Sequence, residues 1–79
     1  MKDLVSSIAK ALVDQPDEVH ITETLGETVA ILEVRVSKDD VGKIIGKEGR
    51  IANAIRTVVK AAAAKQNKKV TVEIITDQD

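Results

Sequence analysis

At 79 residues, with 43% apolar and 32% charged side chains, the chain has the size and balance of one small domain with a thin core. No cysteine and a single histidine exclude a disulfide framework and argue against a structural zinc site. Phe, Tyr and Trp are absent, so no base can be stacked on an aromatic ring, and the net charge of −1 hides an uneven distribution. Residues 1–34 carry two bases and seven acids, whereas residues 35–79 carry ten bases and six acids. An acidic first half and a basic second half point to one face that attracts polyanions.

Taken in chain order, DLVSSIAKALV (3–13) places Leu4, Val5, Ile8, Ala9, Leu12 and Val13 at amphipathic helical spacing. Pro16 then ends the helix, because it lacks a donor and disfavours helix at the residue before it. From Val19 to Val36 the alternation predicts a hairpin, with Val19, Ile21 and Leu25 inward on the first strand. Gly26-Glu27 fits a two-residue turn with glycine first. The second strand is apolar on both faces up to Glu33, which predicts an interior place in the sheet.

Ser37 and Asp40 form an S-x-x-D capping pattern, and a short helix is expected over about 39–45. Gly46 to Gly49 interrupt it. A longer helix is expected over about 50–65, with its core face on Ile51, Ile55, Val58, Val59 and Ala62. KQNKK reads as a polar loop and VTVEII as a last strand, with Val70, Val72 and Ile74 on one side. The last strand returns after a helical crossover, which permits parallel pairing with the preceding strand. The fold class is α+β, ordered α-β-β-α-α-β: a three-stranded mixed sheet with three helices on one face.

Catalytic and nucleotide-binding readings fit poorly. Gly42 and Gly46 are one residue too close for a Walker A loop, and Glu48 stands where a magnesium-binding hydroxyl belongs. Gly42, Gly46 and Gly49 also miss the dinucleotide spacing. His20 has no evident nucleophile beside it, and Ser6 and Ser7 fall within the first helix. Asp39 and Asp40 read as acids favoured at a helix start. No catalytic residue, metal site or cofactor is expected. No apolar run nears the ~20 residues of a membrane span and no signal-peptide core is evident, so the expected location is cytoplasmic.

The remaining motif is the Gly46-Lys47-Glu48-Gly49 loop between two helices. Glycines permit close approach, and the free N–H groups of the helix that follows face whatever docks there. Lys47 and Arg50 add positive charge, with Lys43 one turn upstream. VGKIIGKEGRIANAIR (41–56) resembles the I-G-x-x-G core of a K-homology (KH) domain, the RNA-binding module that clamps about four nucleotides of single strand. Over roughly residues 2–76 the chain resembles the small bacterial KH proteins of the KhpA family, which have the type II order. A single KH domain over 1–79 is therefore expected.

That resemblance implies non-enzymatic binding of single-stranded RNA, as a chaperone or regulator. Gly46 and Gly49 would form the clamp. Lys47 would meet phosphate, and Glu48 would weaken backbone contact relative to doubly basic loops. Arg50 would reach a phosphate or base edge. Ile45 would floor an aliphatic groove, Gly42 would allow close approach, and Lys43 and Asn53 complete the expected contact set. Lys65, Lys68 and Lys69 could flank the groove, with a solvated loop as the plainer reading. The family also implies self-association and a larger KH-containing partner. From the residues themselves, the apolar arc of the long helix spans roughly 200°, twice what seating on a sheet requires. Ala54, Val58 and Ala61 are the expected edge of a symmetric homodimer. Protein association with RNA contact secondary is the competing reading.

Overall fold

The computed structural model describes residues 1–76. The elements are α1 (Lys2–Leu12), β1 (His20–Leu25), β2 (Val29–Arg35), α2 (Val41–Ile45), α3 (Arg50–Lys65) and β3 (Lys69–Ile74). The sheet order is β1-β2-β3, so β2 lies in the middle, as its two apolar faces predict. β1 pairs antiparallel with β2, and β2 pairs parallel with β3.

Register fixes which face becomes core. Ile21, Val34 and Ile74 stand in one row, and Leu32 and Val72 in the next. Leu32, Val34, Val36 and Val72 are buried under Val5 and Ala9 of α1, Ile44 of α2, and Ile55 and Val59 of α3. The opposite face carries Thr22, Thr24, Thr71 and Glu73, all exposed. Helices therefore cover one side of the sheet. Fully burying a Leu or Val side chain contributes about 1.5–3 kcal/mol, so these few residues carry much of the fold. Among the described residues no helix is long and apolar enough to cross a membrane.

Four local expectations are corrected. The hairpin closes one residue later: Gly26 N–H donates to Val29 O at 2.8 Å, leaving Glu27 and Thr28 as the loop. Gly26 has no positive φ, so it flanks the turn and does not occupy its first central position. Leu25 is in line with the core face but 75% exposed, because it sits at the hairpin end, away from the core cluster. On α3 the buried face runs through Ala52, Ile55, Val59 and Ala63, and Val58 is 47% exposed. The alanines, equally at home inside and outside, hid this rotation.

The fourth correction concerns the start of α2. A single 3₁₀ turn over Lys38–Asp40 precedes it, and neither Ser37 nor Asp40 caps a helix with its side chain. Asp40 is 1% exposed and its carboxylate points back along the chain. It accepts the backbone N–H of Asp14 at 3.3 Å and of Gln15 at 3.0 Å. The acid thus fastens the segment after α1 to the base of α2.

At its far end α3 closes with a Schellman motif. Lys68 N–H donates to Ala63 O and Asn67 N–H to Ala64 O, with Asn67 at φ 56°. Asparagine tolerates this left-handed position better than most residues. The motif turns the chain directly into β3 and sets that strand beside α3.

Candidate nucleic-acid interface

α2 stops at Gly46, which has φ 74° and ψ −179°. That region is open only to glycine. Lys47 to Gly49 form one 3₁₀ turn, within which Glu48 sits at φ 58° and ψ 24°. Gly49 follows at φ 76° and ψ 12°, and α3 begins without any side-chain cap. Three of the four loop residues therefore hold positive φ. The loop is a fixed reversal of the backbone at the uncapped, positive end of a 16-residue helix. Ile51 packs against Gly46 from inside and holds that reversal in place.

The remaining expected site residues fall around this turn. Lys47 and Glu48 are exposed, and Ile45 is half-buried beneath them. Arg50 Nη2 lies 3.4 Å from Glu48 Oε2, a solvent-exposed ion pair that draws the arginine toward its own loop. Gly42 is exposed, and a Cβ placed there would meet nothing within 4 Å. Tight packing therefore does not explain this glycine; its bare backbone faces outward. Lys43 is differently engaged. Its ammonium lies 3.1 Å from Asp14 Oδ2 and 3.2 Å from Asp40 Oδ1. These bonds raise the Lys43 pKa, Asp14 first and Asp40 second, against the opposing effect of desolvation. Burial pushes the Asp40 carboxyl up, but the Asp14 and Gln15 N–H groups and Lys43 together outweigh it and leave its pKa lowered. Lys43 is thus committed to the joint between α1 and α2.

From the loop a polar path continues along α3. Asn53 Nδ2 lies over Gly49, at 3.9 Å from where a Cβ would stand. Asn53 Oδ1 accepts from Arg56 Nη1 at 3.3 Å, and Arg56 Nε donates to the backbone oxygen of Val72 at 3.2 Å. Beyond Arg56 a groove of about 750 Å³ opens between α3 and β3. Arg56, Lys60, Lys68 and Lys69 line it in positive charge, Val70 and Val72 supply apolar floor, and no acid among the described residues contributes. Arg56, Lys60 and β3 are the part of this candidate site that the sequence did not reveal. Of the three lysines weighed between groove flank and solvated loop, Lys68 and Lys69 line the groove and Lys65 does not.

The family model described as the KhpA/KhpB KH domain matches residues 2–74. The chain belongs to that family. It is 68% identical over 75 residues to the RNA-binding protein KhpA of Clostridium perfringens, covering 95% of this chain and 100% of that protein. Identity to the RNA-binding protein KhpA of Chlamydia caviae is 51% over 78 residues, 99% of this chain and 100% of that one. Among solved structures, the fold resembles part of Era from Aquifex aeolicus, with a TM-score of 0.68 at 18% identity. That likeness covers 92% of this chain but 28% of the Era chain, and concerns the fold alone. The KH architecture expected from residues 41–56 is thus the architecture of this chain.

Proposed function

We propose that the chain binds single-stranded RNA, gripping its backbone at Gly46–Gly49 and carrying it along α3 into the groove beside β3. The carrying observation is the fixed, positive-φ turn at an uncapped helix start, opening onto a wall of Arg and Lys. A phosphate suits this place because the positive end of the helix dipole and the exposed Lys47 both favour negative charge. Gly42 and the two loop glycines let the ribose–phosphate chain come close, and the half-buried Ile45 and Val70 give bases an aliphatic bed. Asn53 joins loop to groove. Lys43 contributes by holding α2, and Arg50 by charge once released from Glu48. The name of the relatives, RNA-binding protein KhpA, supports the same reading. The action is binding without catalysis, as a chaperone or post-transcriptional regulator would need.

With about three phosphates engaged, log K should fall with log salt at a slope near −2, about −0.7 per phosphate on a single strand. Titrating a labelled single-stranded RNA octamer at several salt concentrations measures this. A salt-independent affinity, or no binding to any single-stranded RNA, would overturn the proposal.

A second reading rests on Val58, 47% exposed in a stripe with the exposed Ala54 and Ala61. Small residues let two helices approach closely, so the outer face of α3 suits a second copy or a larger KH-containing partner. Two copies would present two clamps to one RNA and raise avidity.

A further inference from the structure

We propose that Arg56 sets base preference in the groove by turning the free edge of β3 from a donor–acceptor surface into a donor–donor one. The inference rests on RNA occupying the groove as proposed above. In a parallel ladder, alternate residues of a strand turn both N–H and C=O toward the neighbouring strand, and those between turn both away. Ile75 N–H donates to Val34 O on β2 at 3.0 Å, so the odd-numbered residues face inward. Val72 accordingly faces out, and its carbonyl is the oxygen to which Arg56 Nε donates. Val72 N–H points the same way, along the free edge and into the groove.

An unoccupied strand edge offers N–H beside C=O. That pair suits a base edge with an acceptor beside a donor, such as adenine N1 with its N6 amino group. Here the carbonyl is already taken. The guanidinium replaces it with donors of its own. Of the five N–H groups of an arginine, two are used, by Val72 O and Asn53 Oδ1, leaving three (5 − 2) for a ligand. Asn53 and Val72 hold the planar group from two sides, so its remaining donors have a set direction. A base lying on the half-buried Val70 then meets Val72 N–H and Arg56 N–H together. Two adjacent donors select two adjacent acceptors. Guanine offers N7 and O6, and cytosine offers N3 and O2; adenine and uracil offer no such pair. The chemistry recognised is an acceptor–acceptor base edge at one position of the bound strand.

The test is selection from a randomised single-stranded RNA octamer pool by the full chain, with sequencing of the bound fraction. The unmodified protein should enrich guanine or cytosine several-fold at one position. Arg56→Met keeps the apolar stem and frees the Val72 carbonyl. It should lose that enrichment and move it toward adenine, with binding of the pool as a whole weakened several-fold by the loss of one groove cation and circular dichroism unchanged. Where guanine is the enriched base, 7-deazaguanine at that position should weaken binding, because N7 is one of the two acceptors read, and unchanged binding would overturn the proposal. Enrichment of adenine or uracil by the unmodified protein, binding without preference, or a preference unchanged by Arg56→Met would overturn the proposal. Failure of the unmodified protein to bind the pool at all would overturn the RNA-binding reading itself and this inference with it.

Discussion

Ile51 occupies the space that a side chain on Gly46 would need. A Cβ at position 46 would stand 2.9 Å from Ile51 Cβ and 3.0 Å from Ile51 N, on a backbone at φ 74°, ψ −179°. Gly49 differs: a Cβ there would find Asn53 Nδ2 at 3.9 Å, in the left-handed helical region that other residues can enter. Gly46→Ala should therefore destabilise the fold by about 3 kcal/mol or more, and Gly49→Ala by about 1–2 kcal/mol. Urea denaturation of the two variants checks the ranking. Equal losses would mean that Ile51 does not confine the turn.

Glu48 holds a left-handed conformation with a non-glycine side chain, and its carboxylate pairs with Arg50. Glu48→Gly removes both the strain and the competing charge. Relief of the left-handed penalty, less the entropy cost of a glycine, leaves a gain of about 0.5–1 kcal/mol in stability. RNA affinity should rise several-fold, with a steeper salt slope as Arg50 becomes available. Thermal denaturation and the salt titration read the two effects separately. A variant that is less stable than the parent, or binds more weakly, would show that Glu48 serves the loop.

The Asp40 carboxylate ties the backbone of Asp14 and Gln15 to α2, and its pKa is lowered in the folded protein. A lowered carboxylate pKa stabilises the fold above the unfolded value of 3.8. That contribution disappears as pH falls through the folded value. Acid unfolding of the parent should therefore steepen below about pH 4. Asp40→Asn should be less stable at neutral pH and flatter across that acid window, because nothing at position 40 remains to titrate. Parallel stability profiles for the two proteins would contradict the role given to Asp40.

Much of this arrangement was legible because it is local. The spacing of Gly46 and Gly49 announced a turn between helices, and the double-sided apolar pattern of Val29–Val34 announced a central strand. What stayed hidden depends on distance or on small residues. Asp14 and Lys43 are 29 positions apart, 43 − 14, and nothing near either reveals that they meet. Ser37-x-x-Asp40 has the letters of a capping box, yet the carboxylate bonds the backbone N–H groups of another segment, Asp14 and Gln15. The face of α3 turned by about one position because its alanines carry little directional information. Arg56 carries no local signal of its role, since its partner Val72 is fixed by how α3 lies on the sheet edge.

The exposed stripe of Ala54, Val58 and Ala61 gives a test of association. At about 100 µM the unmodified protein should sediment as a dimer, because oligomerisation follows mass action. Ala61→Glu should sediment as a monomer with its helix content intact. A parent that is already monomeric at that concentration would leave these residues as exposed helix formers only.

In the proposed function RNA is held at the Gly46–Gly49 turn. Replacing Lys47 and Glu48 together by aspartate keeps both glycines and sets negative charge against phosphate. The measurement is the affinity of this double variant for a single-stranded RNA octamer, alongside its circular dichroism and that of the parent. The expected result is loss of binding, by at least tenfold or about 1.4 kcal/mol, with an unchanged spectrum. Unchanged affinity in a folded double variant would contradict the account and place the RNA elsewhere on the domain.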